Sequence, residues 1–260
     1  MQNIKPKSLP ATNHKVRQLL TQITPPPLTH SNFKILDLGA GEGFFTKMIY
    51  EILESKNLNP KDHIVAIDIN NEKYKFDNIP CEFGDFNQGL EYNNQSFYCV
   101  ISMEVIEHLE NPFAYIKEIS RILENQGILI LTTPNISNLT SRIQYFFHGT
   151  YPLFNYLPIK DEFLKGCNQH INPLSLIYLA FILKYNGFKL EVTTDKFKKG
   201  SIFCYYLLKP LFYFLKKSMQ KKLQKNENII YWDNLDIIPL MYSKEILCGR
   251  TLIIKATKQS

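Results

Sequence analysis

Lys34 to Thr46 reads KILDLGAGEGFFT. Ile35, Leu36 and Leu38 form an apolar run around Asp37, and glycines then stand at alternate positions, Gly39, Gly41 and Gly43, before a helical-looking segment. That order gives a strand, a tight turn and a helix N-terminus. Glycine lacks Cβ, so it tolerates positive φ and lets another molecule's polar groups come close to the backbone. The helix that follows turns its unpaired N–H groups and the positive end of its dipole toward the same spot. The turn is built to hold a ligand.

Outward from this turn, strands and helices alternate. Upstream, Thr12 to Ile23 places Val16, Leu19, Leu20 and Ile23 on one helical face, and Pro25-Pro26-Pro27 then makes a stiff connector. Phe33 to Asp37 is the first strand and Phe44 to Glu54 its crossover helix. Downstream strands are expected at His63–Ile69, ending on Asp68, at Pro80–Gly84, ending before Asp85, at Phe97–Met103 and at Ile128–Thr133. A helix over Asn111 to Glu124, with Pro112 in its first turn, separates the last two. Such alternation predicts a parallel sheet covered on both faces, an α/β doubly wound fold. In that architecture ligands sit beyond the carboxyl ends of the strands. Asp37, Asp68, Asp85 and Ser102-Met103 would meet there.

The second half is less regular. Asn138 to His148 reads as a helix, Gly149 to Gln169 as a long aromatic loop of lid type, Asn172 to Asn186 as a helix capped by Gly187, and Phe188 to Thr194 as a strand. Ser201 to Lys217 is apolar and aromatic but broken at Lys209-Pro210. A lysine-rich run to Lys225, an acidic loop around Trp232 and a last strand over Leu252 to Ala256 follow. The expected division is residues 1–29 as helix and proline-rich connector, then 30–260 as one domain. Within it lie a lid-like loop at 149–170 and an aromatic, basic insert at 201–228.

Composition narrows the classes. The chain of 260 residues, 45% hydrophobic, suffices for one large core. No apolar run is long enough to span a bilayer and the N-terminus has no secretory pattern, so a cytoplasmic chain is expected. Five scattered cysteines without a C-x-x-C pair argue against a disulfide framework or a cysteine zinc site. Between Lys184 and Lys225 eleven lysines face only Glu191 and Asp195, a window net of +9 in a chain net of +6. Either an anionic partner surface or a solvated helical face accounts for it.

The glycine spacing sorts the candidate ligands. A dinucleotide fingerprint needs G-x-G-x-x-G, but Gly43 comes one residue early and Phe44 holds the required place, which weakens an NAD or flavin oxidoreductase. No Gly-Lys-Ser/Thr follows, so a P-loop is excluded. Asp37-x-Gly39-x-Gly41-x-Gly43 instead resembles the first motif of class I S-adenosylmethionine-dependent methyltransferases. Asp68 in VAIDIN, Gly84-Asp85-Phe86, VISMEVIEHLENP over Val100 to Pro112 and GILILTTPN over Gly127 to Asn135 extend the resemblance. The branch it is similar to contains ubiquinone-biosynthesis O-methyltransferases and bacterial glycan or lipid-linked methyltransferases.

That resemblance implies a Rossmann-like, mostly parallel seven-stranded sheet with an antiparallel last strand, and S-adenosylmethionine as cofactor. It implies that Gly39 and Gly41 pass closest to the cofactor and that Asp37 supports the turn or the cofactor's amino group, with Gly43 completing the motif. Asp68 would accept both ribose hydroxyls, in charge-assisted bonds of ~1.5–3 kcal/mol each. Ile69 and Phe86 would flank the adenine, Met103 would line the floor, and Asp85 would either accept from the adenine amine or serve only as a turn aspartate.

Methyl transfer asks chiefly for alignment, and a hydroxyl acceptor adds the need for a base. His108 and His170 are the candidates. Each has a structural alternative, His108 as a helix cap and His170 as a loop anchor. No carboxylate–histidine cluster shows metal-ligand spacing, so no metal is expected. The acceptor is expected to be a glycan, glycolipid or quinone-like hydroxyl, with the 201–228 insert on the inner, anionic membrane face or packed as a core helix pair or dimer contact. A nucleic-acid or protein methyltransferase is the other class, but the chain lacks an Asn-Pro-Pro-Tyr-type motif after the fourth strand, where Ser102, Met103 and Glu104 stand, and any RNA-binding module.

Overall fold

The computed structural model describes residues 4–6, 8–24, 33–154, 157, 169–224 and 235–259. The proline connector, most of the lid-like loop, Cys167 and the Trp232 loop lie outside the described residues. Seven strands form one sheet: β1 (Ile35–Leu38), β2 (Ile64–Asp68), β3 (Cys81–Phe83), β4 (Phe97–Met103), β5 (Leu123–Pro134), β6 (Phe188–Thr194) and β7 (Thr251–Lys258). Their order is β3-β2-β1-β4-β5-β7-β6. The pairs from β3 through β5 are parallel, whereas β7 runs antiparallel to both β5 and β6. The expected Rossmann-like sheet with an antiparallel last strand is therefore present.

Successive side chains on a strand point to opposite faces, and here both faces are covered. Leu36, Leu38, Val100, Leu129 and Ile254 pack with α3 (Pro112–Ile122) and α5 (Leu176–Tyr185) through Ile116, Ile119, Leu179 and Leu183. Ile35, Cys99, Ile101, Ile130 and Ile253 face the other way, against α1 (Pro10–Ile23) and α2 (Phe44–Ser55) through Val16, Leu20, Ile49 and Leu53. All seven residues of β4 are buried, as its unbroken apolar run requires. The N-terminal helix thus shares the main core.

Several boundaries differ from expectation. The helix α3 stops at Ile122 and Leu123 already begins β5, because Leu123 pairs with Phe97 before the register shifts. The helix α5 starts at Leu176, not Asn172, with Ser175 Oγ accepting from Tyr178 N–H as its cap. Asn172 is drawn away from helix because its backbone N–H donates to Glu107 O and its side-chain amide to Leu109 O. Pro210 does not break the chain: α6 (Lys199–Gln224) runs straight through it as one helix rather than a pair. Proline there forfeits one helical bond, on a face exposed to water. The helix α6 packs its inner face against α4 (Leu139–His148) and against the short α7 (Ile237–Met241) and α8 (Lys244–Cys248). No helix among the described residues is long and apolar enough to cross a membrane.

Candidate active site

The first turn is shaped by steric need and by hydrogen bonds. Gly39 has φ +90°, and a Cβ on it would fall 2.4 Å from Val105 Cγ2. Gly41, at φ +56°, is different: a Cβ there would meet nothing within 4 Å, so its bare backbone faces open space. Gly43 forms the N-cap of α2 and packs beside Tyr74 and Phe76. The Gly41 amide donates to Asp68 Oδ2 at 2.8 Å, and Asn70 N–H donates to Asp68 Oδ1 at 2.7 Å. One carboxylate therefore holds the tip of the first turn against the end of β2.

These elements enclose a cavity of about 250 Å³ at the carboxyl ends of the strands. Gly39, Gly41, Asp68, Ile69, Asp85, Phe86, Met103 and His108 all line it. Asp37, Gly43 and His170 do not. Asp85 is engaged as a turn aspartate, Oδ1 accepting from Asn87 N–H at 3.0 Å and Oδ2 from the Gln88 amide at 3.0 Å, while it remains at the cavity wall.

Asp37 lies beneath the turn, 1% exposed, with Thr46 Oγ1 donating to its Oδ2 at 2.5 Å. Burial pushes its carboxyl up to about 7, against the Thr46 hydroxyl bond and with a smaller push from the Asp68 charge. Its position makes it a support of the turn from below.

Two glutamates and two histidines cluster just past β4; Glu104 and His108 line the cavity, while Glu107 and His170 lie behind them. Glu104 follows β4 at φ +56°, rare for a residue with a side chain, and its N–H donates to Thr132 O and Thr132 Oγ1. Glu107 is fully buried, and Thr133 Oγ1 donates to its Oε2 at 3.1 Å. Burial, with the Glu104 charge adding to it, raises the Glu107 carboxyl well above the usual carboxylate range. Glu104 Oε1, Glu107 Oε1 and His170 Nδ1 are buried without a hydrogen-bond partner among the described residues.

His108 Nδ1 sits 2.9 Å from Gln169 O. A carbonyl only accepts, so Nδ1 carries the proton and Nε2 of the neutral ring is the basic nitrogen. The His170 ring stands edge-on to it, with centroids 4.7 Å apart, and Phe154 packs on His170 at 5.3 Å. Burial, then the neighbouring His108, lowers the His170 pKa. Potential ligand atoms of Glu107, His108 and His170 lie within 4.8 Å of one another, a spacing that could hold a cation between them. The sequence spacing showed no such carboxylate–histidine group; Ile171 N–H bonds to Glu107 O and folds the distant His170 segment onto it.

Sequence reading also missed the N-terminal segment. Lys5, Pro6 and Ser8 line the cavity opposite the strands, and Lys5 N–H donates to Glu42 Oε2 at 3.3 Å, beside a Lys75–Glu42 ion pair of 2.8 Å. No periodicity or motif in that stretch signals a wall.

A family model described as "Methyltransferase domain" matches residues 29–171, more than half of the chain. The chain belongs to that family and is an S-adenosylmethionine-dependent methyltransferase. A ubiquinone biosynthesis O-methyltransferase of Pelagibacter ubique (strain HTCC1062) is 26% identical over 179 residues, covering 64% of this chain and 69% of its own. The mitochondrial ubiquinone biosynthesis O-methyltransferase of Dictyostelium discoideum is 27% identical over 152 residues, 50% of this chain and 45% of its own. Among solved structures, a SAM-dependent methyltransferase from Archaeoglobus fulgidus superposes with TM-score 0.52 at 16% identity, covering 94% of each chain, a likeness of fold.

The donor set suits this cofactor. The open side of Gly41 admits close approach to backbone, and the Asp68 oxygens each keep a lone pair beyond the bonds they already accept. Ile69, Phe86 and Met103 offer apolar walls. When bound, the cofactor supplies an activated methyl group on a sulfonium.

Proposed function

We propose that this enzyme methylates a hydroxyl group on a glycan, glycolipid or quinone-like acceptor. The observation that carries the reading is His108: a cavity-lining imidazole whose Nδ1 proton is committed to Gln169 O, which leaves Nε2 as the base. A base at the acceptor wall serves a hydroxyl, which must lose a proton as it is methylated. The O-methyltransferase names of the two relatives support the same chemistry. In this reading Asp68 accepts from the cofactor ribose, Ile69 and Phe86 flank its base, Asp85 takes the exocyclic amine, and Met103 forms the floor. Asp37 and Gly43 act by shaping the turn. His170 packs behind His108 and holds it in place. Peripheral contact with an anionic membrane would bring a lipid-borne acceptor to this wall.

The test is a panel of phenolic, glycosidic and lipid-linked hydroxyl acceptors incubated with methyl-labelled cofactor and the full chain. Label in a methyl ether is expected. Label found solely on amines, or on an RNA or protein substrate, would overturn the reading.

A further inference from the structure

The outer face of α6 is not needed by the fold. Its inner face, through Tyr205, Leu208 and Phe212, already packs with Leu139, Leu247 and Cys248. Yet Phe203, Leu207, Leu211 and Phe214, spaced as one helical stripe, stand exposed, Phe203 at 72% and Leu207 and Phe214 at 68% each. Tyr206 and Tyr213 flank them, and Ile143, Phe146 and Phe147 of the adjoining α4 are exposed too. Over the next two turns the same stripe carries Lys217 and Lys221, with Lys222 beside them. The helix contains six lysines and not one acid. Near its start, a shallow groove is walled by Ile202, Phe203, Tyr206 and Leu207 with Lys199 at its edge.

We infer that this face of α6 docks on an anionic lipid surface, its aromatic and aliphatic stripe entering the acyl boundary while the lysines meet phosphate headgroups. Charge selects lipid over a second copy of the chain. Two such faces brought together would oppose lysines with no acid on either helix to pair them, whereas an anionic bilayer offers apolar depth and negative charge in one surface. The patch also connects to the site. Tyr145 of α4 stacks on Tyr151 at 4.6 Å, and a few residues later Phe154 packs on His170, which abuts His108. A lipid-borne hydroxyl would therefore be presented on the side of the molecule that carries the base. The inference deepens the acceptor reading above, but docking is read without cofactor or acceptor, so failure of either leaves the other distinguishable.

The experiment is cosedimentation of the full chain with vesicles of phosphatidylglycerol and phosphatidylethanolamine, against vesicles of phosphatidylcholine alone. Binding to the anionic vesicles is expected, weakening with salt. Each exposed lysine near such a surface is worth ~5-fold, so Lys217→Gln/Lys221→Gln/Lys222→Gln should weaken it on the order of 100-fold. Phe203→Ser/Phe214→Ser should abolish it, with circular dichroism and cofactor binding unchanged; these residues are exposed and neither lines the cavity. Absence of binding at low salt would overturn the inference, as would binding that ignores both sets of substitutions. A stable dimer by light scattering that the phenylalanine variant dissociates, or tight binding to single-stranded RNA that displaces vesicles, would assign the face elsewhere and overturn it too.

Discussion

Gly39 and Val105 pack so closely that position 39 admits no side chain: a Cβ on Gly39 would lie 2.4 Å from Val105 Cγ2. The contact joins the end of β1 to the loop after β4, the two elements between which the cavity opens. It makes the glycine a matter of packing as well as of ligand approach.

Gly39→Ala should therefore destabilise for two reasons, left-handed backbone strain of ~1–2 kcal/mol and the clash with Val105. Val105→Ala removes the second and not the first. In a double-mutant cycle followed by urea denaturation, the pair should cost at least 1 kcal/mol less than the sum of the single changes. Strict additivity would show that Val105 yields freely.

The two histidines should separate kinetically. His108→Ala is expected to lower kcat by ~10²–10⁴-fold, the range of general-base losses, with cofactor affinity nearly unchanged. His170→Ala should lose less, and the more conservative His170→Asn should recover part of it, because its ring acts by packing on His108. Turnover close to that of the unaltered enzyme for both alanine variants would remove histidine from the chemistry.

Asp37 should leave a signature in the pH dependence of stability. Its carboxyl is raised from 3.8 to about 7 by burial, so the folded state keeps a proton that the unfolded chain gives up. Its contribution thus falls as pH rises through 3.8 toward 7, by an amount on the order of 4 kcal/mol at most, and stays level above that. Asp37→Asn cannot ionise. The stability difference between the variant and the parent protein, from urea midpoints at pH 4.5, 6 and 7.5, should grow in favour of Asn across that window. A constant difference would contradict the raised value.

What could be read from the chain was what periodicity and local chemistry encode. The strands ending at Asp68 and Met103, the glycine turn and the helix α4 within Asn138 to His148 follow from near neighbours in sequence. So does the gathering of Gly39, Gly41, Asp68, Asp85 and Met103, since parallel strands deliver their carboxyl ends to one edge. Features decided by distant contacts were hidden. Asn172 looks helical until Glu107 O and Leu109 O claim its donors, and His170 meets His108 because the same segment is tied down there. Pro210 reads as a break, but packing of Tyr205 and Phe212 on either side holds α6 through it. The Lys5 segment carries no pattern at all, and only the lining of the folded cavity reveals it.

The central claim is an adenosylmethionine site built on the Gly41–Asp68 contact, and titration calorimetry of the full chain tests it most directly. Saturable one-to-one binding of S-adenosylmethionine is expected, with no heat from NAD. Asp68→Ala removes the anchor of Gly41 and, in the proposed reading, the ribose acceptor, and should weaken binding at least tenfold, as loss of one charge-assisted bond of ~1.5–3 kcal/mol requires. An unaltered chain that ignores S-adenosylmethionine, or an Asp68→Ala variant that binds it equally well, would contradict the claim.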